Sequence, residues 1–113
     1  MERLVRGDIV VIEFPFSDLK NSKKRPVLIL KIPHGEDLIA LQITGTSYEK
    51  NMETELNKND FKKGFLKRES FVRIDKVASI EKSLINYKIG SLKKEKFEEI
   101  IEKFTNFIKD KDI

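Results

Sequence analysis

The stretch that decides the fold is Arg6-Gly7-Asp8-Ile9-Val10-Val11, followed after a polar segment by Lys24-Arg25-Pro26-Val27-Leu28-Ile29-Leu30. Residues 8–14 are largely β-branched and end at Pro15, which predicts a strand stopped by proline. Residues 26–32 form an almost continuous apolar run, which is typical of a central strand buried on both faces. The polar residues 17–24 between the two runs predict a loop. The chain therefore opens with two short strands joined by a basic loop.

Further strands and one helix follow. Residues 38–44 and 70–75 have strand character, 77–80 continue the second of these after a kink, and 53–56 predict a short edge strand. Residues 83–85 predict a single helical turn.

The C-terminal segment predicts an amphipathic helix over residues 92–109, with Ser91 as its N-cap. Its apolar residues recur at the three-and-four spacing of one helix face: Phe97, Ile100, Ile101, Phe104, Phe107 and Ile108. Short strands at close spacing followed by one such helix predict a mainly β fold. We expect a small, strongly curved, antiparallel barrel with the helix packed on it.

Composition narrows the class of protein. At 113 residues the chain predicts one domain spanning 1–113, with 39% hydrophobic and 37% charged residues. It has no cysteine, which excludes a disulfide scaffold and a thiolate zinc site. No segment resembles a signal peptide or a membrane helix, so we expect a cytoplasmic protein. The net charge of +4 is compatible with a polyanionic partner, and equally with a biased genome or a warm habitat.

The catalytic inventory is short. The one histidine, His34, lies between Pro33 and Gly35, where we expect an exposed turn rather than a catalytic base. No metal-binding or phosphate-loop motif occurs, so we expect no metal and no cofactor. RNA cleavage by its own 2′-hydroxyl fits this inventory, because the protein need only align the backbone, move two protons and stabilise charge on phosphorus.

The segment around Arg73 and Asp75 is the first candidate for such a site. In a strand these two residues fall on the same face, about 6.5 Å apart, while Val72 and Ile74 point to a core. A carboxylate can accept a proton, and a guanidinium can hold a phosphate with paired donors. The alternative is an ordinary surface ion pair worth about 0–1 kcal/mol, which spacing alone favours.

Other residues could contact a phosphate or RNA. Arg25 is the residue before the apolar run of the second strand, where it could bind a phosphate. Alternatively, it is simply the end of a basic loop that also contains Lys23 and Lys24. Hydroxyl groups at the end of the third strand could bind a phosphate oxygen or cap a turn; they belong to Thr44, Thr46 and Ser47. A second basic patch interleaves with Phe61 and Phe65, a composition that suits single-stranded RNA; its cations are Lys62, Lys63, Lys67 and Arg68. A solvated loop with Phe65 in the core is the alternative.

Several of these motifs together resemble the PemK/MazF toxins of type II toxin–antitoxin systems. In order, the matching segments are Arg6-Gly7-Asp8-Ile9-Val10, Arg25-Pro26-Val27-Leu28-Ile29, Gln42-Ile43-Thr44, Gly64-Phe65, Val72-Arg73-Ile74-Asp75 and Ser79-Ile80-Glu81. The resemblance covers nearly the whole chain and includes the amphipathic C-terminal helix.

The resemblance implies an SH3-like barrel of the CcdB/PemK superfamily, assembled as a homodimer. It also implies a metal-independent endoribonuclease, or mRNA interferase, that cuts single-stranded RNA to a 2′,3′-cyclic phosphate and a 5′-hydroxyl. It assigns catalytic roles to Arg25, Thr44, Arg73 and Asp75. A cognate antitoxin is expected to place an acidic tail in the basic groove.

Two other functions stay open at this point. One is a non-catalytic small-barrel module that binds RNA, DNA or a translation component, and the other is a CcdB-like toxin that acts on a protein such as gyrase. Because a fold does not determine a function, only the site can separate them.

Overall fold

Seven antiparallel strands form one curled sheet, and a single α-helix packs on it. The computed structural model describes residues 3–15 and 22–110, with the backbone alone at residues 14, 15, 22 and 23. The strands are β1 Asp8–Pro15, β2 Ser22–Lys31, β3 Asp37–Thr44, β4 Glu53–Leu56, β5 Phe61–Lys63, β6 Ser70–Glu81 and β7 Ile85–Leu92, and the helix α1 is Lys94–Lys109. The spatial order is β4-β6-β3-β2-β1-β7-β5. The predicted curved antiparallel sheet with a C-terminal helix is confirmed.

The curled sheet buries a different apolar cluster on each of its two faces. The first cluster lies under α1, whose Ile100 is fully buried there, with Phe97, Ile101 and Phe104 packed against its margin. The second cluster consists of Val10, Ile12, Val27, Ile29, Leu38, Ala40, Ile80 and Ile85. Phe107 and Ile108 of α1 stay exposed. Within the described residues, no helix is long and apolar enough to cross a membrane.

The hairpin of β1 and β2 extends beyond its prediction. The polar residues 22–24, predicted as loop, pair with β1 in regular register, with Lys24 opposite Glu13. Residues 17–21 of that predicted loop lie outside the described residues. Cross-strand pairing of opposite charges offsets the weak strand propensity of these polar residues. Pro26 is tolerated inside β2 because β3 pairs only from Val27 onward, so one side of the strand is unpaired there.

The strand β7 was absent from the sequence-based prediction, and the predicted N-cap at Ser91 is wrong. Ser91 is buried in β7, and its hydroxyl donates to Oδ1 of Asp8 at 2.7 Å. The helix begins at Lys94 instead of residue 92. Pairing with β1 and β5 holds this polar segment in the sheet, which a local apolar pattern does not reveal.

The Arg6-Gly7-Asp8 motif has a structural role. The fully buried Asp8 carboxylate accepts a hydrogen bond from the backbone N–H of Val5 at 2.8 Å and pairs with Nζ of Lys88 at 3.2 Å. Gly7 has φ +92°, a left-handed conformation, and lies against the Phe97 ring. The motif therefore ties the start of β1 to β7 and to the helix.

Candidate active site

A large bulge in β6 shapes the candidate site. Leu41 of β3 pairs with Val77, and Ile43 pairs with Val72. One β3 residue, Gln42, therefore faces the four β6 residues 73–76, three more than a regular ladder allows. Bulges redirect side chains and recur next to active sites. Arg73 and Asp75 both lie in this bulge.

The predicted pair of Arg73 and Asp75 forms with two parallel hydrogen bonds. Nε of Arg73 donates to Oδ1 of Asp75 and Nη2 donates to Oδ2, both at 3.1 Å. Their side chains are 14% and 26% exposed, so the pair is half-buried but open to solvent. Val72 and Ile74 point the opposite way and are buried in the first cluster, as the strand alternation predicts.

The surroundings hold both groups in their charged forms. Burial raises the pKa of Asp75, but the hydrogen bonds and charge of Arg73 outweigh it, so the pKa lies below its ordinary value. The hydrogen bonds to Asp75 raise the pKa of Arg73 against the opposing effect of burial. Asp75 is therefore an ionised proton acceptor at neutral pH, and Arg73 is a permanent cation.

A buried glutamate fixes the loop beside this pair. Glu53 is opposite Arg73 in the β4–β6 register and is 4% exposed. Its carboxylate accepts hydrogen bonds from the Ser47 hydroxyl, from the backbone N–H of Tyr48 at 3.1 Å and from that of Glu49 at 3.4 Å. The hydrogen bond from Ser47 is the main reason that the pKa of Glu53 is lowered. Ser47, predicted as a possible phosphate ligand, is thus engaged in holding the loop.

The same loop places an aromatic ring on Arg73. The Tyr48 ring centroid lies 5.1 Å from Cζ of Arg73, a cation–π contact. Tyr48 is 68% exposed. The guanidinium therefore contacts a carboxylate at its edge and an aromatic ring on one face.

Arg25 and Thr44 lie on the same face of the sheet as Arg73. Thr44 pairs with Phe71, two residues before Arg73, and side chains two apart in a strand share a face. Val27 pairs with Gln42, and Arg25 lies two residues before Val27 in β2, so its side chain is on the face that carries Gln42 and Thr44. The sheet therefore brings the four predicted catalytic residues onto one surface.

The two residues nearest the end of β3 differ in their engagement. Among the described residues, no acidic side chain forms an ion pair with Arg25, which is half-buried. Oγ1 of Thr44 accepts a hydrogen bond from the backbone N–H of Thr46 at 3.2 Å. This bond caps the turn and leaves the hydroxyl proton of Thr44 available to donate.

The remaining predicted RNA-binding residues with described side chains are exposed but are spread over the fold, since Lys62 lines a cavity with Arg6 and Phe97 beside α1. The exposed residues are Lys24, Thr46, Lys62, Lys63, Lys67 and Arg68; the side chain of Lys23 lies outside the described part. Phe61 is buried, whereas Phe65 is 50% exposed with Nζ of Lys58 5.2 Å from its ring centroid. The placement of Phe65 in the core is therefore wrong. The loop 64–69 approaches Gly45, next to Thr44, through the Glu69 carbonyl.

His34 and metal ligands play no part in this arrangement. His34 is exposed in the turn before β3, as predicted. Across residues 3–15 and 22–110, no three His, Cys, Asp or Glu side chains are grouped as a metal site would require.

Two residues of the site, Tyr48 and Glu53, were not identified from the sequence. For Tyr48, the available signal was that it is an isolated aromatic residue in the polar segment 45–51. Glu53 gave none, because a glutamate in an edge strand is ordinarily exposed.

Comparison with solved structures relates this fold to known toxins. The structure of an endoribonuclease in complex with its cognate antitoxin from a mycobacterial species superposes with a TM-score of 0.74 at 14% identity, covering 94% of this chain and 95% of that chain. The Mycobacterium tuberculosis toxin MazF-mt6 gives a TM-score of 0.70 at 25% identity, with coverages of 91% and 98%. A further toxin from that organism gives 0.61 at 26% identity, with coverages of 73% and 90%. Comparison with curated proteins gives no match.

A family model decides the assignment. The model for the PemK-like, MazF-like toxin of type II toxin–antitoxin systems matches residues 5–108. This range contains every strand, the bulge in β6 and nearly all of α1. The chain therefore belongs to the PemK/MazF toxin family.

Proposed function

We propose that this protein is a metal-independent endoribonuclease that cleaves single-stranded RNA as the toxin of a toxin–antitoxin pair in the cytoplasm. The observation that carries the proposal is the paired Arg73 and Asp75 in the β6 bulge, on the same sheet face as Arg25 and Thr44. Membership of a toxin family known for ribonuclease activity supports it.

In the proposed reaction, Arg25 and Arg73 hold the scissile phosphate and stabilise the negative charge that develops on it. Thr44 donates its free hydroxyl proton to a phosphate oxygen. Asp75 accepts the proton of the 2′-hydroxyl, the 2′-oxygen bonds to phosphorus, and the bond from phosphorus to the 5′-oxygen breaks. The leaving 5′-oxygen takes a proton from solvent, because a guanidinium with a pKa above ~12 is a poor acid. The products are a 2′,3′-cyclic phosphate and a 5′-hydroxyl.

The geometry of the pair suggests how Asp75 becomes available as a base. Both of its oxygens accept hydrogen bonds from Arg73 in the free protein. A phosphate bound at Arg73 competes for these donors and releases one carboxylate oxygen to the 2′-hydroxyl. RNA binding thus activates the acceptor.

The exposed cations among the predicted RNA-binding residues provide the wider RNA contact in this proposal. They would hold the backbone without reading the bases, so binding would weaken as salt rises. The loop 64–69, which carries Lys67 and Arg68, approaches the end of β3 at Gly45, which supports a contact of these two cations with RNA bound at the site.

We further propose a homodimer and a cognate acidic antitoxin as partners. The antitoxin follows from family membership and from the complex formed by a structural neighbour. The exposed Phe107 and Ile108 at the end of α1 offer apolar area to a second copy. Light scattering after size exclusion tests the dimer, and a twofold smaller mass for Ile108→Lys would assign the helix to it.

The decisive experiment incubates the protein with long unstructured RNA in EDTA and maps the ends of any product. We expect cleavage by the wild type and by Lys31→Ala, a control that removes an exposed cation elsewhere on β2. We expect loss of cleavage in Arg25→Ala and in Asp75→Ala, with the circular dichroism spectrum unchanged. Undiminished cleavage by both variants would reject the site.

The other outcomes separate the alternative functions. Salt-dependent binding without product would indicate the non-catalytic module that binds RNA or DNA. Neither binding nor cleavage would instead indicate a toxin that acts on a protein.

A further inference from the structure

The exposed Tyr48 ring next to Arg73 has no partner on its outer face among the described residues. It is 68% exposed, although a large aromatic side chain gains free energy on burial. Its inner face contacts the Arg73 guanidinium, with 5.1 Å between Cζ and the ring centroid. We propose that the outer face stacks on a nucleobase of the RNA beside the scissile phosphate. This inference rests on the proposed function.

The ring is held in place before any ligand arrives. The buried carboxylate of Glu53 accepts hydrogen bonds from the Ser47 hydroxyl and from the backbone N–H groups of Tyr48 and Glu49. These three bonds fix the loop on β4, directly opposite Arg73. Because the ring is already ordered, stacking costs little conformational entropy.

The position of the ring favours a base over other ligands. A phosphate held at Arg73 necessarily carries a ribose and base on each side, and single-stranded RNA leaves those bases free to stack. Base–aromatic stacking tolerates every base because each has a π-face. Tyr48 is therefore a binding residue that positions the nucleotide.

The test measures binding separately from cleavage. The probe is a single-stranded RNA, either intact or with an abasic nucleotide at one of several successive positions. It carries a 2′-deoxyribose at the mapped scissile nucleotide, or has mixed sequence if no cleavage occurs. The variants are Tyr48→Ala, Tyr48→Phe and the matched control Tyr87→Ala, which removes a 54% exposed tyrosine from β7, beyond β1 in the sheet.

We expect the dissociation constant to rise about 5- to 150-fold for Tyr48→Ala. We expect it to stay within about twofold for Tyr48→Phe and Tyr87→Ala, since these retain the stacking ring. At one probe position, an abasic nucleotide should weaken wild-type binding and have no further effect in Tyr48→Ala. Melting temperatures of all variants check that the fold persists.

Different results would reject the stacking role of Tyr48 and the proposed ribonuclease function. Cleavage by the wild type together with unchanged RNA binding by Tyr48→Ala would overturn the stacking role alone. Equal losses in Tyr48→Ala and Tyr87→Ala, or additive abasic effects at every position, would also overturn it. Binding that depends on Tyr48 without any cleavage would support the stacking site and reject the ribonuclease.

Discussion

Asp75→Asn separates a catalytic pair from a structural one. The substitution keeps the shape of the side chain and removes its charge, so Arg73 keeps a neutral acceptor. The pair is 14% and 26% exposed, between surface pairs worth about 0–1 kcal/mol and buried pairs whose disruption costs about 3–5 kcal/mol. We therefore expect a loss of about 1–2 kcal/mol in the free energy of unfolding, or about 4–8 °C in melting temperature for a domain of this size.

The expected loss of activity is far larger. Removing a general base costs about 10²- to 10⁴-fold in rate. A loss of 1–2 kcal/mol from a typical stability of about 5–15 kcal/mol leaves more than about 99% of the molecules folded, so instability cannot produce that change.

The assay compares initial rates of RNA cleavage in EDTA with melting temperatures from circular dichroism. Arg73→Lys keeps the charge but loses the paired donors, and we expect a similar loss of rate. The control Glu98→Gln removes an exposed ion pair with Lys94 on α1 and should change neither quantity. A rate within about threefold of the wild type for Asp75→Asn would refute the catalytic assignment and leave a structural ion pair.

Three further predictions concern Asp75, Glu53 and Gly64. The fold lowers the pKa of Asp75, so its contribution to stability is present above the ordinary carboxyl pKa of about 3.9 and is lost as pH falls through the lowered value. The proposed base stays ionised over the same range, so kcat/KM should decline only below about pH 4. An inflection above pH 5 that disappears in Asp75→Asn would contradict this. Glu53→Gln replaces a charged acceptor by a neutral one, so the amides of residues 48–49 should exchange with deuterium faster while those of β3 stay unchanged; equal protection in both proteins would exclude the anchoring role. Gly64→Ala combines a left-handed φ of +70° with overlap on the β7 backbone, and should lower the melting temperature more than Gly35→Ala, which has only the unfavourable φ of +89°; equal shifts would show that the close approach is unimportant.

Elements formed by interactions between residues close in sequence were predicted correctly, and elements that depend on distant residues were not. The strands 8–14, 38–44 and 53–56 were predicted within one residue of the observed bounds, because β-branched and apolar patterns are local signals. The strand β7 was missed since its polar residues are held by pairing with β1 and β5. Local sequence patterns do not predict that pairing.

In the candidate site, too, the features set by local alternation were predicted, and those set by contacts between distant residues were not. Alternation in a strand placed Arg73 and Asp75 on one face, and their ion pair is confirmed. The insertion that brings them into a bulge depends on register against β3, and the Tyr48 contact depends on a loop held by Glu53. Neither leaves a periodic signature.

By itself, the order of residues determined five of the seven strands, the amphipathic helix and the family, because each depends on side-chain type at short spacing. Only tertiary structure decided that Arg25, Thr44, Arg73 and Asp75 share a surface, and that Tyr48 stands on one of the arginines. The physical reason is that cross-strand register and buried hydrogen bonds join residues far apart in the chain, and those contacts exist only once the sheet has curled.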